Sequence, residues 1–242
     1  MTMRKVFIAD AHLRNPSDKN YLLLVKFLSE IKDTTDSLFI LGDLFEFWIG
    51  YHPSAFPHYL PVLKELEKLS ASGTKIIYFE GNHDFHMGSF FSETIGATIY
   101  PSTAVLTLDD KKCFLCHGDQ INSREYGYRI LRFLLRNRAS KTLFPIIPSR
   151  ILFRIAGLMS RGSRSNHEKR NTKWNYELLL TNFAETCFRD NIDVVICAHF
   201  HIPLLQKKTS GKEHTLLSLG DWITHFTYGE MHHGMLYLHK YR

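Results

Sequence analysis

Five times along this chain a short apolar run stops abruptly at Asp, Asn or His. Val6-Phe7-Ile8-Ala9 runs into Asp10-Ala11-His12, and Leu38-Phe39-Ile40-Leu41 into Gly42-Asp43. Ile76-Ile77-Tyr78-Phe79-Glu80 precedes Gly81-Asn82-His83-Asp84, and Cys113-Phe114-Leu115-Cys116 precedes His117-Gly118-Asp119. Val194-Val195-Ile196-Cys197-Ala198 leads into His199-Phe200-His201. Runs of this length and composition read as strands. In open α/β sheets ligand sites form outside the carboxyl ends of the strands, so strands of one sheet can bring all five polar ends to a single place.

Between the runs the periodicity changes to helical. Leu22, Leu23, Val25, Phe27, Leu28 and Ile31 recur at helix spacing, as do Leu60, Leu63, Leu66 and Leu69. Residues 104–108 and 113–116 flank Asp109-Asp110-Lys111-Lys112 as a hairpin, and 215–219 and 235–238 read as closing strands. From about residue 124 to 186 no strand pattern is present. Three helical patches occupy that stretch, around Ile130 to Leu135, around Ile151 to Met159, and at Trp174, Leu178, Leu179 and Phe183. The pattern predicts one domain over 1–242, an α/β core with a helical cap inserted over about 124–186.

Composition narrows the class. At 44% apolar residues, the 242-residue chain can bury a substantial core. No apolar run approaches the roughly 18 to 20 residues that span a bilayer. The apolar stretch near the N-terminus is too short for a signal peptide, so a cytoplasmic location is expected. Residues 124–173 hold 13 Lys or Arg against two acidic residues, which leaves 17 basic and 22 acidic residues elsewhere. The basic character therefore lies in one segment, suited to phosphate, nucleic acid or an anionic membrane surface. Cys113 and Cys116 have C-x-x-C spacing. On a strand, residues three apart point to opposite faces, so these thiols read as buried apolar groups rather than a metal or redox pair.

Each polar strand end taken alone is ambiguous, since Asp, Asn and Gly are common turn residues. Together, Asp10, His12, Asp43, Asn82, His117, His199 and His201 make an imidazole–carboxylate set that suits transition metals over Mg or Ca. Two divalent ions about 3.5 to 4 Å apart can activate water and hold a phosphate for in-line attack. Gly42, Gly81 and Gly118 let the backbone turn sharply beside such a site.

The order Asp-x-His, Gly-Asp, Gly-Asn-His-Asp, His-Gly-Asp and His-x-His resembles the calcineurin-like metallophosphoesterases over nearly the whole chain. That resemblance implies an α/β sandwich of two packed β-sheets flanked by helices. It also implies one ion held by Asp10, His12, Asp43 and His201, and a second by Asp43, Asn82, His117 and His199, with Asp43 bridging. Asp84 would act by orienting His83, a catalytic residue.

Within the class, Leu41-Gly42-Asp43-Leu44-Phe45-Glu46-Phe47-Trp48-Ile49-Gly50, Gly127-Tyr128 and Leu219-Gly220-Asp221-Trp222 are similar to the UDP-2,3-diacylglucosamine diphosphatase family of lipid A synthesis. The resemblance implies manganese as the metal. It implies Asn82, His83, Tyr128, Arg161, Ser163, Arg164, His167, Arg170 and His199 as contacts for a UDP-linked diacyl sugar. It further implies peripheral association with the anionic inner face of a membrane, which basic residues beside apolar helices would suit.

Two positions depart from the family pattern. Ser160 stands where a basic residue is expected, with Arg161 adjacent. His83 stands where Arg is usual. A phosphate leaving group departs without a proton, so a cation suffices there, whereas His can also act as a general acid toward a poorer leaving group. A phosphodiesterase or diphosphatase for another nucleotide-linked lipid or sugar therefore remains open, as does a scaffold on the same fold. Nucleic-acid binding is disfavoured, because the basic segment lacks stacking aromatics beyond Trp174 and Tyr176.

Overall fold

The computed structural model of the chain describes residues 4–50, 56–123, 126–137, 140, 175–210 and 212–241. In chain order the first elements are β1 (Lys5–Ile8), α1 (Lys19–Ile31), β2 (Ser37–Ile40), β3 (Trp48–Ile49) and α2 (Leu60–Ala71). Next come β4 (Lys75–Phe79), β5 (Asp84–Phe85), β6 (Thr98–Tyr100), β7 (Ala104–Leu108), β8 (Lys111–Leu115) and α3 (Tyr126–Arg136). The last are α4 (Tyr176–Arg189), β9 (Val194–Cys197), β10 (Pro203–Ser210), β11 (Lys212–Leu219), β12 (Thr227–His232) and β13 (Met235–Lys240).

Two mixed sheets carry the fold. One has strand order β13-β12-β1-β2-β4-β6 and the other β10-β11-β9-β8-β7, while β3 and β5 form a small third pair. In the first, β1, β2, β4 and β6 run parallel and β12 joins β1 antiparallel. In the second, β8, β9 and β11 are parallel, with antiparallel β7 and β10 at the edges. The five runs therefore do not end on one sheet. β1, β2 and β4 belong to the first, and β8 and β9 to the second.

Burial shows why the layers stack this way. Val6, Ile8, Leu38, Ile40 and Tyr78 face one way and pack with α1 and α2. Their neighbours Phe7, Ala9, Phe39, Leu41 and Phe79 face the other way, onto Cys113, Leu115, Val194, Ile196 and Leu217 of the second sheet. The outer face of that sheet, with Cys116, Val195, Cys197 and Leu216, packs against Tyr176, Leu180 and Ala184 of α4. Alternation along strands buried on both faces thus generates a helix–sheet–sheet–helix order. Cys113 and Cys116 lie in different clusters, and burial pushes both thiols upward, Cys113 to about 12.

Some details differ from the sequence reading. The buried stripe of α1 is Tyr21, Leu24, Phe27, Leu28 and Ile31, while Leu22 is exposed. On α2 Val62 is buried in place of Leu60. The hairpin turn is two residues, not four. Leu108 pairs with Lys111, and Asp109 and Asp110 both take positive φ, 46° and 61°, as a primed turn requires. Most of the expected cap, including Arg161, Ser163, Arg164, His167 and Arg170, lies outside the described residues. Within the expected cap span, α4 packs on the second sheet as part of the core.

Candidate metal centre

The two sheets meet with the carboxyl ends of their central strands at one edge. Beyond β1 and β2 the parallel pairing continues into the loops, with the His12 N–H donating to the Asp43 carbonyl and Leu13 N–H to the Leu44 carbonyl, both at 3.0 Å. From the second sheet the Ala198 N–H donates to the His117 carbonyl at 2.8 Å. Gly42 and Gly81 let the loops touch. A Cβ on Gly81 would stand 2.4 Å from the Asp43 backbone nitrogen, so no larger residue fits.

The ligand backbone itself is unusual. Asp10, His12, Asp43, His199 and His201 have φ of 53°, 43°, 53°, 73° and 56°, in the left-handed region that non-glycine residues rarely occupy. Each costs on the order of 1–3 kcal/mol, which the surrounding sheet ends must offset. These bends turn consecutive side chains inward at the strand ends. The sequence reading assigned the turning to the glycines alone.

The carboxylates share one design. Asp43 Oδ1 accepts the His83 backbone N–H at 2.8 Å, which leaves Oδ2 facing His117 Nε2 at 3.4 Å and His12 Nε2 at 3.6 Å. Asp10 Oδ2 accepts the His199 N–H at 2.7 Å. Asp10 Oδ1 is buried without a hydrogen-bond partner, 3.8 Å from His201 Nε2 and 3.9 Å from His12 Nε2. A buried carboxylate oxygen orphaned among imidazole nitrogens is the arrangement a cation completes. His117 adds to this. Its Nδ1 donates to the Leu41 carbonyl at 2.7 Å, which turns Nε2 toward two oxygens, Asp43 Oδ2 and Asn82 Oδ1, the latter at 3.0 Å.

The electrostatics carry the same signature. Burial raises Asp10 to about 6, against the pull of His201. Burial, the largest single influence, pushes His117 down, but the charge and hydrogen bond of Asp43 together with the charges of Asp10 and Asp119 outweigh it and lift the imidazole to about 10. His199 is driven down to about 3 by burial and by His117. Anions and cations packed this densely suit metal ions in place of protons.

All seven expected ligands converge. Asp10, His12 and His201 form one cluster, Asp43, His117 and His199 another, and His12, Asp43 and His83 a third between them, each with its ligand atoms within 4.8 Å. Asn82 joins the second through its contact with His117. Asp43 Oδ2 faces His12 on one side and His117 on the other, which links the clusters, and imidazole and carboxylate donors grouped this closely are of a kind that fits divalent transition metals. His83 Nδ1 donates to the Glu46 carbonyl at 2.9 Å, and its ring lies edge-on to His12 with centroids 4.7 Å apart.

Asp84 does not orient His83. Its carboxylate accepts backbone N–H groups from Asp43 and Gly81 at 2.9 Å and from Leu44 at 2.7 Å, together with the Tyr78 hydroxyl at 2.6 Å. Fully buried, it ties the Gly42–Asp43 and Gly81–Asn82 turns together, and burial followed by the Asp43 charge raises it to about 7.

Two acids went unassigned in the sequence reading. Glu46 Oε2 lies 3.7 Å from His12 Nδ1, and Asp221 Oδ2 lies 3.4 Å from His201 Nδ1. His225, also unassigned, lies with Nδ1 2.9 Å from Asp221 Oδ2. Glu46 and Asp221 both sit in the stretches that carry the family resemblance, but nothing local marks them as partners of histidines far away in sequence. The Tyr128 backbone falls in α3, and its side chain lies outside the described residues. Beside the centre, a cleft of about 670 Å³ is lined by residues including Ile49, Glu80, His86, Arg132 and Arg136.

The sequence profile described as calcineurin-like phosphoesterase matches residues 3–203. Curated relatives named UDP-2,3-diacylglucosamine hydrolase align along nearly the whole chain. The Haemophilus influenzae (Rd) protein is 30% identical over 220 residues, covering 89% of each chain. The Tolumonas auensis protein is 30% identical over 229 residues, covering 93% of this chain and 92% of its own. That of Stenotrophomonas maltophilia (R551-3) is 31% identical over 228 residues, covering 91% of each.

Proposed function

This chain belongs to the calcineurin-like phosphoesterase family of metal-dependent phosphoester and anhydride hydrolases, and on that premise we propose that it hydrolyses the pyrophosphate of UDP-2,3-diacylglucosamine. The products would be UMP and 2,3-diacylglucosamine 1-phosphate. The observation that carries this reading is the likeness to hydrolases of that name along about nine-tenths of the chain, supported by clusters of His and Asp able to hold metal ions. Two divalent ions, manganese in our reading, would polarise the phosphoryl oxygens and activate the attacking water.

The chain's own residues then divide the work. Asp43 and Asp10, pinned by backbone N–H groups, hold the imidazoles in a fixed frame. His83 is anchored through Nδ1 to the Glu46 carbonyl, which leaves Nε2 to meet the reacting phosphoryl group. A protonated His83 would there neutralise developing charge as an Arg would. In this reading Asn82, Tyr128, Arg161, Ser163, Arg164, His167, Arg170 and His199 contact the substrate.

The proposal extends to a site of action at an anionic membrane face. No helix among the described residues is long and apolar enough to cross a membrane. α3 exposes Ile130, Phe133 and Leu134 on the same helix as Arg132 and Arg136, a surface suited to lying on one.

The test is turnover of UDP-2,3-diacylglucosamine with manganese, with UMP as the nucleotide product, against soluble nucleotide diphosphates. Preferential cleavage of the lipid substrate is expected. Equal or faster cleavage of soluble substrates would favour the second reading, a diphosphatase or phosphodiesterase for another nucleotide conjugate, which His83 motivates.

A further inference from the structure

α3 has two unlike sides. Outward it exposes Ile130, Phe133 and Leu134. Toward the core it is moored by polar groups. Arg132 Nε donates to Asp119 Oδ2 at 2.7 Å, and the Arg136 guanidinium donates to the carbonyls of Pro101 and Gly81. The cleft of about 670 Å³ lies along that inner side, with a volume ordinary for a small-molecule site. A second cavity of about 150 Å³ is lined by His117, Asp119 and Gln120. The two share Glu80 and Ser102, so they form one groove. It starts at His117 of the metal centre and runs along α3 to Ser89 and Glu93.

Glu80 indicates what the groove takes. The residue is only 7% exposed, yet it lines both cavities. Its Oε1 accepts the Met87 N–H at 3.2 Å, while its Oε2 has neither a hydrogen bond nor an ion pair among the described residues. A carboxylate oxygen sunk this far from water needs donors, and the groove leaves room for a ligand to bring them.

The rest of the lining narrows the ligand. In the larger cleft Glu80 and Glu93 balance Arg132 and Arg136, so it offers no excess of positive charge to hold a phosphate. An acyl chain is equally unsuited, because it would cover the Glu80 carboxylate without supplying a donor. The hydroxyls of Ser89, Ser92 and Ser102 beside Ile99 and Pro101 suit an uncharged, hydroxyl-bearing sugar joined to a flat base. A carboxylate accepts ribose hydroxyls in just this way in dinucleotide-binding folds.

We propose that this groove is a nucleoside subsite. With its phosphate at the metal centre, a ribonucleoside 5′-phosphate extends past His117 along the inner side of α3, and Glu80 accepts its ribose hydroxyls. This rests on reading the substrate as nucleotide-linked, and it keeps the nucleoside away from the apolar outer side of α3.

Equilibrium dialysis of manganese-loaded protein against UMP, 2′-deoxy-UMP and inorganic phosphate tests it. UMP should bind at least about tenfold more tightly than either of the others, the scale of one hydrogen bond to a charged group. Glu80→Gln keeps an oxygen for the Met87 N–H but puts an amide where the ribose needs a charged acceptor. It should weaken UMP by about tenfold or more, erase the preference over 2′-deoxy-UMP and leave phosphate binding in place. Ser89→Trp, at an exposed position on the cleft rim, should obstruct UMP while sparing phosphate and bound metal. Thermal midpoints show whether each variant is folded, and if Glu80→Gln unfolds, Ser89→Trp decides. UMP binding no tighter than phosphate or 2′-deoxy-UMP, or folded variants that bind UMP like wild type, would overturn the subsite. Continued turnover of UDP-2,3-diacylglucosamine would then leave the substrate reading standing. Glu80-dependent binding of UMP without turnover of that lipid would keep the subsite and sink that substrate.

Discussion

Asp43 gives one carboxylate oxygen to the backbone of His83 and aims the other between His12 and His117. Removing it takes away the carboxylate that faces both His12 and His117 and leaves Asp10 as the one carboxylate among the expected ligands. Asp43→Ala should lower kcat by at least about 10³-fold, the scale on which losing a central catalytic group acts, and reduce bound metal below two per chain. Residual turnover near wild type, with two ions retained, would count against the shared role. His83 offers a subtler test. If the leaving group is a phosphate that needs no proton, His83→Arg should retain hydrolysis of the UDP-lipid within about tenfold. A loss of roughly 10² to 10⁴, the size of a general-acid contribution, would assign it proton transfer. At this scale the residues that cluster were legible because Asp, Asn and His each stand next to an apolar run. The tie of Asp84 to the Asp43 and Leu44 backbone, about 40 residues away, was not, nor were Glu46 and Asp221, which meet histidines about 34 and 20 residues away only through the fold.

The strand ends show why the local grammar works and where it stops. β1 and β2 are apolar on both faces, so their extent is plain from the sequence alone. The two-residue β3 and β5 are too short to give a periodic signal, and neither they nor β6 and β12 were anticipated. β12 alternates buried with half-buried residues and contains Gly229, whose Cβ would crowd Leu217 and Leu219 of the facing sheet, so packing rather than propensity decides it. The meeting of two loops at Gly81 yields a sharp prediction. A methyl there would stand 2.2 Å from Asp43 Oδ1 and 2.9 Å from Asp84 Oδ1. Gly81→Ala should therefore cost at least about 1–3 kcal/mol, the usual range for overpacking. Because the pushed atoms are the shared carboxylate and its tie, metal content should fall as well. Retained metal at unchanged stability would show that the turns can separate.

Across the whole molecule the centre lies where two sheets abut, and each half draws its clustered side chains from both. Asp10 and His12 follow β1 while His201 follows β9. Asn82 follows β4 while His117 and His199 follow β8 and β9. Bound ions would thus stabilise the packing of the layers as well as the loops. Chelation should lower the thermal midpoint. Free metal at 100 times its Kd contributes about 2.7 kcal/mol, equivalent to roughly 5–10 °C in a chain of this size. Scanning calorimetry with and without chelator checks this, and an unchanged midpoint would mean the layers need no ions. The convergence from two sheets was the part least legible in sequence. Five strand-like runs announce five strands but not their partition, which depends on the antiparallel neighbours contributed late in the chain.

That late contribution bears on how the protein is made. The first sheet opens with β1 at the N-terminus but is completed beside it by β12 and β13, after the second sheet has been laid down. While the ribosome is still translating, the Asp10 and Asp43 turns emerge long before His199 and His201. The backbone that cups them also waits for the Trp222 N–H, which donates to the Asp10 carbonyl. Until then the early loops would expose acidic side chains and strained bends with nothing to close over them. On the two-ion reading, the full set of groups exists only once His199, His201 and the Trp222 turn have been made.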